Sequence, residues 1–155
     1  MSLNNINSLR KDRGFTIVEL LIVIVVIAIL AAITIVAYNG IQNRAKTSSA
    51  QSLANSVVKK AEAFNTIQSS YPANNTSFNA TGAPDESKLD NAAAVTGSTT
   101  ALPTDETTVK YVRCGTGAKV AYRDASAGSI VYIGIGGAST AAYTGSGNTT
   151  TPYAC

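Results

Sequence analysis

Residues 15–38 read FTIVELLIVIVVIAILAAITIVAY and form the longest apolar run in the chain. A helix of this length rises about 36 Å and can cross a hydrocarbon core about 30 Å thick. Its only polar side chains before the closing Tyr38 are Thr16, Glu19 and Thr34. We therefore predict a membrane-spanning helix over residues 15–38.

Basic residues flank this run unevenly. Arg10, Lys11 and Arg13 precede it, whereas Arg44 and Lys46 follow it. Because positive charge favours the cytoplasmic side of a membrane, this distribution predicts, by a narrow margin, a single-pass topology with a cytoplasmic N-terminus. An ordinary secretory signal peptide is the weaker interpretation, since the apolar core is too long, contains a carboxylate and ends without an Ala-x-Ala pair.

Beyond residue 38 the chain changes from uniformly apolar to amphipathic. Apolar residues recur at helical spacing among polar and charged ones, at Leu53, Val57, Ala61 and Phe64. Asn39-Gly40 is the one weak point in this helical pattern, since Gly costs about 1 kcal/mol relative to Ala in a helix. Pro72 limits the helix at its C-terminal end, because a proline and the residue before it disfavour helix continuation. The sequence predicts one helix of about fifty residues, whose second half, residues 39–67, is amphipathic.

The remaining chain predicts a loop region followed by a small sheet. Residues 68–106 are rich in Asn, Thr, Ser, Ala, Gly and Pro, which is typical of a variable surface connection. Start and stop signals within it predict a short helix at 85–95. Three strands are then predicted as an antiparallel meander, at residues 107–114, 119–123 and 129–135. The predicted fold class is α+β, a long N-terminal helix packed on an antiparallel sheet of about three to four strands.

The composition excludes most catalytic chemistry. The chain of 155 residues has no histidine, two cysteines and 14% charged residues. Without histidine there is no Ser-His-Asp or Cys-His triad and no four-ligand Cys/His zinc site. We therefore predict no enzyme activity, no cofactor and no metal. The formal net charge is +3, and much of it lies in Arg10, Lys11 and Arg13. The rest of the chain is therefore nearly neutral, which is not typical of a dedicated nucleic-acid binder.

The two cysteines, Cys114 and Cys155, both lie in the C-terminal half. An even pair in a small polar domain predicts a Cys114–Cys155 disulfide formed in an oxidising compartment. This bond would close residues 107–155 into one region that contains the sheet. Two unrelated buried thiols are the alternative.

The residues just before the apolar run carry the most specific signal. Residues 13–19, RGFTIVE, resemble the type IV prepilin signature, in which a short basic leader ends in Gly and Phe and Glu are the first and fifth residues of the mature chain. The resemblance covers residues 1–67, and the rest agrees in architecture only. It implies that residues 1–14 are a removable leader, that a prepilin peptidase cuts between Gly14 and Phe15, and that Phe15 is then N-methylated.

Glu19 is the assembly residue that this resemblance implies. A carboxylate within an apolar helix usually has a partner. Cleavage creates one, the α-amine of Phe15, on the same subunit or on a neighbour already docked in a filament. The alternative is that Glu19 only reaches the membrane surface. Val36 departs from the family pattern, because many pilins have a proline there, and Asn39-Gly40 is a candidate substitute for that weak point.

The function that the resemblance implies is that of a pilin, the structural subunit of a type IV pilus. Such a chain is held in the cytoplasmic membrane by its helix and is then assembled into an extracellular filament. The implied partners are membrane lipid, a prepilin peptidase, an assembly platform with its ATPase, and further copies of the chain. DNA as a ligand has no support in the sequence. The alternatives are a pseudopilin or minor pilin of a type II secretion or competence system and, from a different class, a signal-anchored extracytoplasmic binding module.

Overall fold

The structure is a computed structural model that describes residues 14–142, so residues 1–13 and 143–155 lie outside it. The described chain divides into two compact units, of which one ends at Asn39 and the other begins at Gly40.

A single helix, α1 (Ile17–Gln68), accounts for all of the first unit's regular structure and for the start of the second. This confirms the prediction of one long N-terminal helix. In the first unit every residue of α1 is exposed. The most apolar 18-residue window of α1 has a mean hydropathy of 3.4, so by length and composition this helix could cross a membrane.

In the second unit α1 buries a stripe of small side chains. The fully buried residues recur at helical spacing along one face, at Ala50, Ala54, Val57 and Ala61. Leu53 packs against the core only partly buried, and Phe64 is also only half-buried. The centre of the buried face is therefore formed by alanine and valine residues. The spacing of the larger apolar residues had placed that centre nearer to Leu53 and Phe64. Alanine brings the helix backbone close to whatever it packs against, because it has no side chain beyond Cβ.

The sheet has four strands in the order β1 (Val95–Thr96), β2 (Val109–Cys114), β3 (Gly117–Asp124) and β4 (Ser129–Ile135). Strands β2, β3 and β4 form the predicted antiparallel meander. The short β1 pairs parallel to β2, so the sheet is mixed rather than purely antiparallel. The pairing is tertiary in origin, because it joins buried Val95 to Val109 across the long connection from β1 to β2.

Residues 85–95 do not form the predicted short helix. Two 3₁₀ turns, Asp85–Ser87 and Ala92–Ala94, lie on either side of Leu89. The Asn79 side chain explains the interruption, because its amide nitrogen donates to the Leu89 carbonyl at 3.0 Å and its oxygen accepts the Leu89 N–H at 2.8 Å. Both backbone groups that a helix would use at Leu89 are thus bound by a side chain from another segment, and the Leu89 side chain is buried in the core.

The core between α1 and the sheet has aromatic residues at its centre. Tyr111 of β2 meets Phe78, from the 3₁₀ turn Asn75–Asn79 in the loop region after α1, edge to face with ring centroids 4.9 Å apart. The Tyr111 hydroxyl donates to the Pro72 carbonyl at 2.9 Å, and burial raises the pKa of Tyr111. The loop after α1 is therefore fixed to the sheet by packing and by a buried hydrogen bond.

The face of the sheet opposite α1, here called the outer face, carries a second and smaller apolar cluster. Val112 and Ala121 are buried there, and Leu102, Ile130 and Tyr132 pack against them. Because Leu102 belongs to the connection between β1 and β2, that connection covers part of the outer face.

Asp124, at the end of β3, ties the β3–β4 turn to α1. Its carboxylate accepts the Thr47 hydroxyl at 2.8 Å and the backbone N–H groups of Ser126 at 2.8 Å and Ala127 at 3.2 Å. These bonds hold the pKa of Asp124 below its ordinary value, and the bond from Thr47 has the largest effect. The link therefore favours the ionised form of the carboxylate.

Candidate processing and assembly site

The expected cleavage site lies just outside the helix. Gly14, Phe15 and Thr16 are not helical, and α1 begins at Ile17. The Phe15 side chain is 87% exposed. The structure thus places the Gly14–Phe15 bond in non-helical chain, two residues before the first helical residue.

Thr16 and Glu19 form a reciprocal cap on the first turn of α1. The Glu19 Oε2 atom accepts the Thr16 backbone N–H at 2.9 Å and the Thr16 hydroxyl at 2.8 Å. In return, the Glu19 N–H donates to the Thr16 Oγ1 atom at 3.2 Å. This arrangement is a capping box, which satisfies N–H groups that have no partner within the helix.

The sequence interpretation missed this cap. It considered Glu19 as a partner for the amine that cleavage creates or as a side chain that reaches the membrane surface, although Thr-x-x-Glu before an apolar run is itself a recognisable capping signal. The cap also places the Glu19 carboxylate at the N–H of Thr16, the residue that follows Phe15. The carboxylate therefore lies at the N-terminal end of α1, which is where cleavage after Gly14 would create a new α-amine.

The rest of the N-terminal unit is a helix with apolar side chains on all sides. Its large apolar residues are about half to fully exposed, from 47% at Val25 to 85% at Ile17. The Thr34 hydroxyl donates to the Ala31 carbonyl of the same helix at 2.9 Å, so this polar group needs no other partner. Among the described side chains of this segment, Glu19 is the one Asp, Glu, Lys or Arg residue.

Two further predicted features can be located. Helix α1 continues without interruption through Val36 and Gly40. A Cβ atom built at Gly40 would meet nothing within 4 Å, so packing within the chain does not require glycine there. Cys114 ends β2, half-buried, whereas Cys155 lies outside the described residues, and their pairing stays a prediction.

Within residues 14–142 no group of three or more His, Cys, Asp or Glu residues is placed to hold a metal ion. Glu19 and Asp124 each act as acceptors for neighbouring backbone and hydroxyl groups. The Glu19 carboxylate therefore caps the start of α1, and the Asp124 carboxylate joins the β3–β4 turn to α1.

One family model matches the chain. It is described as a prokaryotic N-terminal methylation motif, and it matches residues 9–35. No curated protein and no solved structure matches. The matched residues include Gly14, Phe15, Thr16 and Glu19 and most of the apolar helix.

The fold and this motif together define the class of protein, an α+β chain with a long N-terminal helix and an N-terminal methylation signal. Within that class, the motif supports a type IV pilin-like prepilin with a class III signal peptide, as the sequence predicted. A structural rather than enzymatic subunit is the role that such a motif suggests.

Proposed function

We propose that the chain is a pilin, the structural subunit of a type IV pilus. A prepilin peptidase cuts between Gly14 and Phe15 and methylates the new α-amine, and the mature chain polymerises through its N-terminal helix. A membrane-anchored precursor with a cytoplasmic N-terminus precedes an extracellular filament. An assembly platform with its ATPase supplies the work of extraction.

One observation carries this proposal: the N-terminal part of α1 exposes apolar side chains on every side. Such a surface is stable only in lipid or against other apolar surfaces, because burying it from water is strongly favourable. Lipid covers this apolar surface before assembly, and copies of the same helix cover it in the filament. The methylation motif supports the order of these two environments.

Glu19 has two successive roles in this proposal. Before cleavage its carboxylate caps α1 through Thr16. After cleavage the amine of Phe15, on a neighbouring subunit, pairs with it and sets the axial register of the filament. A charge pair within an apolar filament core also removes the cost of leaving a lone carboxylate there.

Two variants separate these roles. Thr16→Ala removes the hydroxyl of the cap but keeps the carboxylate, whereas Glu19→Val removes the carboxylate, and with it both bonds that the carboxylate accepts from Thr16, but keeps the hydroxyl. We expect Glu19→Val to be processed normally and to lose at least about tenfold in sheared filament yield, and Thr16→Ala to lose much less. Thr34→Val is the matched control, because its hydroxyl bonds only within its own helix.

The measurements are N-terminal peptide mass spectrometry for processing and electron microscopy of sheared filaments for assembly. Normal filament yield from Glu19→Val would refute the register role. An equal loss from Thr16→Ala would assign the effect to the helix cap instead.

A pseudopilin or minor pilin of a type II secretion or competence system is the second candidate, since all share the same N-terminal motif. A Cys114–Cys155 disulfide closing the C-terminal region would favour the pilin. The position of Cys114 on the outer face is compatible with it, because the Ala141 carbonyl lies over that face, where it accepts the Lys119 ammonium at 3.0 Å. Non-reducing peptide mapping tests the pairing, and two free thiols in the secreted form would contradict it.

A signal-anchored binding module is the candidate from a different class. It requires no cleavage after Gly14, so intact mass decides between the two. We expect a mature chain that begins at Phe15 and is heavier than its sequence by one methyl group. A chain that begins at Met1 or Ser2, from cells with an active prepilin peptidase, would support the anchored module.

A further inference from the structure

The outer face of the sheet contains two lysines that are completely buried. Lys110 on β2 and Lys119 on β3 are both 0% exposed. Lysine is almost never fully buried unless its ammonium group is bound, because taking that charge out of water is costly. Burial lowers the pKa of Lys110 to about 8. Two such residues on one small sheet therefore call for a structural reason.

Lys110 binds the connection between β1 and β2. Its ammonium group donates to the backbone carbonyls of Gly97 and Thr100, each at 2.5 Å. Beyond Thr100 the same connection places Leu102 against the apolar cluster of the outer face. Polar contacts at its start and apolar contacts at its middle thus hold this connection on the sheet.

Lys119 binds the segment that follows β4. Its ammonium group donates to the Ala141 carbonyl at 3.0 Å. This segment also passes very close to the sheet at two glycines, since a Cβ atom at Gly134 would collide with the Ala138 carbonyl and one at Gly117 with the Gly136 carbonyl. Gly134 is the register partner of Lys119, so the close approach and the hydrogen bond occur side by side.

We propose that Lys110 and Lys119 act as two latches, each holding one chain segment, residues 97–102 and 138–142 respectively, over the outer face of the sheet. These segments cover Lys110 and Lys119 from within the chain, so no second copy is needed to bury those two side chains. The latches lie in the second unit, so the proposal does not depend on the function proposed for the N-terminal helix.

Hydrogen exchange on the full-length chain in detergent tests the proposal. Lys110→Met keeps a side chain of similar length but removes the donors, and we expect amides of residues 97–102 to exchange at least about tenfold faster. Lys119→Met is expected to have the same effect on residues 138–142. Each variant should leave the other segment within about twofold of the wild type. Lys59→Met, on the exposed side of α1, is the matched control and should change neither.

Two results would overturn the proposal. One is a methionine variant whose own segment exchanges at the wild-type rate. The other is a variant that accelerates both segments equally, because the lysine would then contribute only to global stability. If a methionine variant does not fold, acetylation of the wild type decides: Lys110 and Lys119 must react at least about tenfold more slowly than Lys59, and equal rates would refute the latches.

Discussion

The two units of this chain handle apolar residues in opposite ways. In the first unit the apolar side chains of α1 face outwards on all sides, and none is buried within residues 14–39. In the second unit the same helix buries one narrow stripe, and its other faces are mostly polar. The second unit therefore has an apolar core of its own, whereas the exposed apolar surface of the first would be stabilised by contact with lipid or with other apolar surfaces.

The largest expected effect comes from removing one large apolar side chain in each unit. Phe78 is fully buried and contacts Tyr111, so Phe78→Ala should lower the free energy of unfolding by about 3–5 kcal/mol. Ile24→Ala, on the exposed helix, should leave the stability of the second unit unchanged. Urea unfolding followed by tyrosine circular dichroism measures both. Equal destabilisation by the two variants would erase the distinction between the units.

Enlarging a small residue should also act differently in the two units. Ala54 is fully buried in the stripe on α1, so Ala54→Leu should destabilise the second unit by about 1–3 kcal/mol through overpacking. Ala32→Leu adds the same atoms to an exposed apolar surface and should have no effect on that unfolding transition. A stable Ala54→Leu variant would mean that α1 can move away from its packing partners at little cost.

Lowering the pH is expected to have a smaller effect on stability. It should act on the second unit through Asp124, whose carboxylate joins a turn of the sheet to α1. The pKa of Asp124 is held below its ordinary value, chiefly by the Thr47 hydroxyl. A carboxylate with a lowered pKa contributes stability at neutral pH and loses it as the pH falls through that value.

The pH dependence of Asp124→Asn tests this contribution. This variant should melt at a lower temperature than the wild type near pH 6, and the difference should shrink below about pH 4. Thermal melts of both proteins across this range provide the measurement. A gap that stays constant down to low pH would show that the Thr47 contact does not depend on charge.

The smallest expected effect lies at the end of α1. Ser69 follows the helix with φ 54°, a left-handed conformation that favours glycine. Ser69→Gly should therefore stabilise the second unit, by about 0.5–1 kcal/mol. The thermal midpoint measures this gain, and a loss of stability would mean that the serine side chain has a compensating role.

The features that the sequence predicted correctly are local or strongly periodic. The long helix follows from an uninterrupted pattern, and the strands of the meander follow from β-branched runs between tight turns. The prepilin motif could be found because Gly14, Phe15 and Glu19 lie close together in the sequence. The capping box was equally local, and Thr16 could have revealed it.

The features that the sequence did not predict depend on contacts between distant segments. The parallel pairing of Val95 with Val109 needs a long connection to fold back over the sheet. The interruption at Leu89 needs the Asn79 amide to reach its backbone. Buried lysines run against the usual expectation that lysine lies in solvent, so neither Lys110 nor Lys119 could be identified from its neighbours in sequence.

The hydrogen bonds from these two lysines also bear on how the surface of the protein can change. Their shortest hydrogen bonds end on the backbone carbonyls of Gly97, Thr100 and Ala141, and Lys110 also reaches the Thr100 hydroxyl at 3.4 Å. Every amino acid supplies a backbone carbonyl, so the carbonyl bonds by themselves do not specify which side chains the outer segments display. Side chains of these segments that face solvent can therefore change without loss of the carbonyl bonds, whereas Leu102 stays constrained by the apolar cluster beneath it.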